Sequence, residues 1–245
     1  MTDESPPIES TLLRACIVNG DDFGASAGIN RGMMEALESG ILTSASLMIN
    51  MPGTAEAIVL SRGVPELSVG LHVNLTNEGD AVVDLEDIAA VKNELHAQYQ
   101  QFVDRLGRAP SHLDSHHNIH RLPHLTPLFV ELAGRDGVLL REHSPVRYFS
   151  SFYGQWDGVC HPEHISAANL CSMLETEVGA GYTELACHPG YVSDDFVSEY
   201  SIEREIELVS LCDPAVREFL LARGIELRNF NDVRRSLDRN PKGIQ

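Results

Sequence analysis

At 245 residues, with 43% hydrophobic and 22% charged residues, the chain suits one large α/β domain with a sizeable core. A formal net charge of −18 argues against nucleic acid or an anionic membrane as the main partner, since both need clustered Lys and Arg. No apolar run approaches the ~18 residues of a membrane span.

The first ten residues, "MTDESPPIES", are acidic and Pro-rich and carry no basic or apolar export region, so 1–10 reads as a disordered tail and 11–245 as a single domain. "ACIVNG" (15–20) has the β-branched, Gly-ended pattern of a buried strand, and a helix over about 27–39 follows it, closed by Gly40. "LTSASLMIN" is a second strand, with a short helix through "TAEAIVLSRG", and "LSVGLHVNLT" (67–76) is a third. Val91, Leu95, Tyr99, Phe102 and Leu106 form one stripe of an amphipathic helix. "SHLDSH" is a fourth strand, a helix starts near Pro123, and "GVLLRE" is a fifth strand. A helix around 164–178 leads to "TELACH" (183–188), and helical stretches near 202–222 precede a last strand, "IELRNF" (225–230).

Strict strand–helix alternation predicts a parallel sheet with right-handed crossovers. About seven strands favour a distorted, closed or nearly closed β/α barrel over an open sheet, with the active site at the C-terminal strand ends. Five cysteines (Cys16, Cys160, Cys171, Cys187, Cys212) contain no C-x-x-C pair and read as reduced packing residues of a cytoplasmic protein.

The chemistry-bearing residues gather at those strand ends. Asp21 and Asp22 follow strand one, His72 lies in strand three, His116 and His117 end strand four, Arg141 ends strand five and His188 ends strand six. Each alone has an ordinary explanation: a helix-capping acid, a core histidine, a turn residue, a surface cation. Together they converge on one mouth. The run "HLDSHHNIH" (112–120) is too extended to hold one ion by itself, because alternate strand residues lie roughly 6–7 Å apart. It can supply one or two ligands, and the rest must come from other strands. A carboxylate with two imidazoles would make a three-ligand site with an open position.

"VNGDDFG", "GLHVNLT", "HLDSHHNIH" and "CHPGY", in this order over about residues 15–232, resemble the YdjC/ChbG-type carbohydrate deacetylases. The resemblance implies a distorted seven-stranded β/α barrel, one divalent metal ion (Zn or Mg first, Mn or Co as alternatives), and a homodimer. It also implies hydrolysis of an N-acetyl group from an amino-sugar carbohydrate of chitooligosaccharide type. Asp22, His72 and His116 would be the metal ligands, Asp21 the base and His188 the acid. The pattern departs at Asn118, where relatives often carry His, and the segment over 77–87 is short.

Amide hydrolysis needs an activated water, charge stabilisation at the carbonyl and a proton for the departing amine. Asp21 can take the water's proton, His188 can protonate the nitrogen, and Asp114 can orient an imidazole. Arg141, His117 and Asn74 are further candidates for supporting the ligands or binding substrate. Pro189 biases His188 toward extended backbone, and Gly190 would permit a sharp turn after it. Two rival readings are a metal-dependent phosphoesterase, for which Arg141 and Arg147 are the available anion-binding cations, and a non-catalytic sugar- or metal-binding protein.

Overall fold

A computed structural model describes residues 13–79, 81–193 and 196–239; the expected tail over 1–10 lies outside these. The chain runs β1 (Arg14–Phe23), α1 (Ala27–Glu38), β2 (Ser44–Leu47), α2 (Thr54–Arg62), β3 (Ser68–Val73), α3 (Ile88–Leu106) and β4 (His112–Ser115). A 3-10 turn (His116–Arg121), α4 (Thr126–Asp136), β5 (Leu139–Leu140) and β6 (Val146–Phe149) follow. The remainder is β7 (Gln155–Trp156), β8 (Val159–Cys160), α5 (Ala167–Glu177), β9 (Gly181–Cys187), α6 (Ile202–Leu211), α7 (Pro214–Ala222), β10 (Glu226–Leu227) and α8 (Phe230–Arg239).

Seven strands form one parallel sheet in the order β5-β4-β3-β2-β1-β9-β6. The sheet is strongly curled. β5 lies four strand spacings from β1, roughly 19 Å in a flat sheet, yet Arg141, just past β5, reaches Asp21 of β1 at 2.8 Å. The sheet stops short of closure: β5 and β6 are its two edges, and the fold is a half-barrel.

Strand alternation sorts the side chains into two layers. Cys16 and Val18 of β1, Val69 and Leu71 of β3, and Leu185 of β9 pack outward against Ile29 and Met33 of α1, Leu95 of α3 and Phe129 of α4. The inward set is graded along the barrel axis. At the N-terminal end it is apolar, with Ala15, Ile17, Leu139, Val146 and Tyr182 closed off by Phe230 and Val233 of α8. One step up it is polar: Asn19, Ser46, His112, Asp114 and Glu184 are all buried. At the top sit Asp21 and His72. The odd parity that buries Ile17 therefore also turns Asn19 and Asp21 inward.

Two segments differ from the sequence reading. The expected strand over 225–230 shrinks to β10, two residues beside Ala15 and Cys16, because Phe230 already begins α8. The seventh strand of the sheet is instead β6, reached from β5 without an intervening helix. The helical stretches expected near 202–222 are α6 and α7, separated where Asp213 caps α7 ahead of Pro214.

Candidate active site

Asp21 and Asp22 are neighbours and would point to opposite faces of a regular strand. Here the β1–β2 register shifts between Gly20 and Phe23, and Asp22 has φ 69°. This bulge turns Asp22 so that both carboxylates line the same cleft. His72 enters it from β3 and His116 from the turn after β4, while His188 approaches from the loop after β9. The cleft holds about 610 Å³.

Asp22 is the hub. Its Oδ1 lies 3.0 Å from His116 Nδ1 and 3.3 Å from His72 Nε2, and its Oδ2 accepts from Arg204 Nη2 at 2.7 Å. Parallel register pairs His72 with Asp114 across β3 and β4. Their side chains meet at 2.7 Å through His72 Nδ1, leaving Nε2 directed at Asp22. His116 Nε2 has Glu78 Oε1 at 3.2 Å, at ion-pair distance but off the line of a hydrogen bond.

The ligand atoms of Asp22, His72 and His116 all lie within 4.8 Å of one another. Two ligands on a tetrahedral ion at ~2.1 Å are about 3.4 Å apart, so the observed 3.0 and 3.3 Å separations fit a small divalent cation. The electrostatics agree. Burial would raise the Asp22 carboxyl, but the charges of Arg204 and then His116 hold it well below its ordinary value. Burial would lower His72, but Asp114 and Asp21 raise it to about 10. The negative field that favours a proton on His72 equally favours a cation among these atoms.

Asp21 stands beside this cluster in a bidentate grip. Arg141 Nη1 and Nη2 donate to its two oxygens at 2.8 Å each, and Asn19 Nδ2 donates at 2.8 Å. Arg141 also contacts Asp114 at 2.8 Å and Glu184 at 2.6 Å, so one buried guanidinium holds three carboxylates. Burial pushes the Glu184 carboxyl up to about 7, against the pull of Arg141.

Across the cleft, His188 is partly exposed. Its Nδ1 faces inward, 3.8 Å from Glu207 Oε1 and without a hydrogen bond, and its backbone N–H donates to Glu207 Oε2 at 2.5 Å. Gly190 has no positive φ, so the left-handed freedom of glycine is not used there. It serves close packing instead: a Cβ on Gly32 of α1 would lie 2.5 Å from Gly190 Cα.

The other candidates fall in different places. His117 lines the cleft, with Nδ1 2.9 Å from Thr76 Oγ1, and Asn118 lines it next to His117. Asn74 does not line it. Asn74 anchors the following loop through Asn77, at 2.6 and 3.0 Å, and its backbone through Gln98. Arg141 is buried behind Asp21, and Arg147 is exposed on β6; neither lines the cleft. Sequence reasoning missed Glu184, Arg204, Glu207 and three cleft-lining tyrosines, Tyr148, Tyr153 and Tyr200. Glu184 was findable by strand parity with Tyr182 and Ala186; Arg204 and Glu207 sit in a charged helix that reads as solvent-facing.

The model of the YdjC-like protein family matches residues 15–222. The chain belongs to the YdjC-like family. A carbohydrate deacetylase of Geobacillus stearothermophilus is 35% identical, covering 90% of this chain and 98% of that protein. A chitooligosaccharide deacetylase of Escherichia fergusonii is 31% identical, covering 91% and 100%. Among solved structures, a candidate cellobiose-phosphate cleavage protein from Enterococcus faecalis V583 superposes with TM-score 0.79 at 25% identity, covering 90% of this chain and 99% of that one. A family 4 acetyl xylan esterase from Clostridium thermocellum, solved with cobalt, shares the fold at TM-score 0.53 and 13% identity, covering 89% of each chain.

Proposed function

We propose that this YdjC-like protein is a metal-dependent hydrolase that removes the N-acetyl group from an amino sugar of a chitooligosaccharide-like carbohydrate. The observation that carries the reading is the placement of a carboxylate–bis-imidazole donor set between two different proton-handling groups in one cleft. Asp22, His72 Nε2 and His116 Nδ1 would hold the cation, a mixed O/N set that suits zinc and accommodates magnesium, manganese or cobalt. When bound, the cation supplies an acidified water and polarises the acetyl carbonyl.

The chain's own groups do the rest. Asp21, fixed by Arg141 and not needed as a ligand, takes the proton of the attacking water. His188 stands on the other wall with Nδ1 turned to Glu207, which leaves Nε2 as the atom able to pass a proton to the departing nitrogen. Asp114 fixes the ring and tautomer of His72. Relatives named as carbohydrate and chitooligosaccharide deacetylases support the same chemistry. The phosphoesterase reading finds no support, because Arg204 is the single Lys or Arg among the described cleft-lining residues and already binds Asp22.

The test is acetate and free-amine release from N-acetylated mono-, di- and trisaccharides, before and after exhaustive chelation and metal restoration. Metal-dependent release of both products is expected. Turnover of p-nitrophenyl phosphate without acetate release from any sugar would overturn the reading.

A further inference from the structure

The wall of the cleft beside His188 carries an aromatic ring with one face covered and one open. Tyr153 is 40% exposed, whereas its neighbour Phe152 is 1% exposed and already fills the core there. Tyr200 stacks on Tyr153, with centroids 4.5 Å apart and planes 12° from parallel, and is itself only 6% exposed. With Tyr200 on one face, the exposure of Tyr153, which lines the cleft, is left to its rim and its other face. The ring sits edge-to-face with His188 at 6.1 Å and 74°. Trp156, two positions beyond Gly154, does not line the cleft.

This pair is held rigidly to the loop of His188. The Gly154 N–H donates to the Tyr200 hydroxyl at 3.0 Å, and that hydroxyl donates to Glu207 Oε1. The other oxygen of Glu207 accepts from the His188 N–H. Stacking platform and proton donor thus share one frame, and a ring docked on the first is registered against the second.

We propose that the open face of Tyr153 is the platform for the pyranose ring on the leaving-nitrogen side of the scissile amide, so that Tyr153 sets the preference for sugar-bearing over small acetamide substrates. This rests on the deacetylase reading above. A pyranose presents an apolar C–H face to an aromatic ring and a rim of hydroxyls around it. Ser150, Gln155, Ser198 and Glu199 line the cleft and supply matching polar groups. Their chemistry suits a neutral or amino sugar and offers a sugar phosphate no Lys or Arg; Arg204, elsewhere in the lining, is already bound to Asp22.

The experiment compares wild type, Tyr153→Leu and Tyr153→Phe on N,N′-diacetylchitobiose, with acetohydroxamate as an inhibitor that fills only the acyl end. Leucine keeps apolar packing on Tyr200 but has no flat face. Tyr153→Leu should raise KM about tenfold with kcat little changed, Tyr153→Phe should match wild type, and the acetohydroxamate Ki should be equal in all three. A leucine variant with KM within about twofold of wild type, a phenylalanine variant as impaired as leucine, or a Ki that rises in step with KM each overturns the platform. Wild type that releases no acetate from any N-acetyl sugar overturns the deacetylase reading instead.

Discussion

Asp21 and Asp22 are adjacent in the chain but have different partners. Asp22 meets two imidazoles and Arg204, while both oxygens of Asp21 are taken by Arg141. Substituting each side of this division should give opposite phenotypes. His72→Ala should lose stoichiometric metal by elemental analysis. Asp21→Asn should retain metal and fold yet lose about 10²–10⁴-fold in kcat. An Asp21→Asn enzyme active to within a few-fold would remove the base assignment. His188 is tested through the leaving group. His188→Ala should lower kcat on an N-acetyl sugar by roughly 10²-fold or more with metal unchanged, because an amine must be protonated to leave. An aryl acetate, whose phenolate leaves unaided, should be cleaved with a much smaller loss. Equal losses would assign His188 to holding the loop.

The elements that place these residues differ in how plainly the chain announces them. β1 carries a continuous apolar run ended by polar groups, β3 and β9 interleave apolar residues with His72 and with Thr183 and Glu184, and strand alternation predicts which side chains turn inward. β6 was illegible because "VRYF" is short and follows β5 directly, with no helix to mark a crossover. α8 was hidden because its first residue, Phe230, ends the alternating segment "IELRNF", which reads as strand, although its ring plugs the barrel by stacking on His112 at 3.8 Å. The bulge at Asp22 leaves no sequence signature beyond two adjacent acids, so that both would reach one cleft could be inferred only by convergence. Glycines show the same division between local and tertiary causes. Gly32 and Gly134 are both helical, but a Cβ on Gly32 would meet Gly190 Cα at 2.5 Å and one on Gly134 would meet nothing within 4 Å. Gly134→Ala should therefore stabilise by about 0.5–1 kcal/mol through the unfolded chain. Gly32→Ala should destabilise by roughly 1–3 kcal/mol and displace the His188 loop. Urea denaturation of both variants, with kcat for the second, checks the pair; stabilisation of both would mean that α1 and this loop are not in contact.

At the scale of the whole molecule, the barrel interior passes from apolar to ionic along its axis, and the middle layer combines a charge pair, Asp114 with Arg141, and a buried imidazole. His112 occupies that layer with its ring flat on Phe230 and in the space left by Gly70, where a Cβ would fall 2.3 Å from the ring. Its two nitrogens lie 2.9 Å from the Ser111 and Ser46 hydroxyls, which satisfies a neutral imidazole. Burial lowers His112 from 6.5 to about 4, with Asp114 pulling the other way. Burial likewise lowers His120, in the same 3-10 turn as His116, to about 4. The sign follows from linkage: the unfolded chain takes up these protons first as pH falls. Their stabilising contribution is present above about pH 6.5 and is lost progressively as pH drops toward 4, by up to about 3 kcal/mol for each histidine. Carboxylates paired in the folded state, such as Asp114 with Arg141, add acid sensitivity at lower pH. Between pH 6.5 and 4, the slope of unfolding free energy against pH should therefore be shallower in His112→Asn than in wild type. The difference should be about 1.4 kcal/mol per pH unit in the middle of that range, whatever the variant's overall stability. Equal slopes would mean that folding does not lower His112, and that Asp114, 3.9 Å from its Nε2, offsets the burial of the ring.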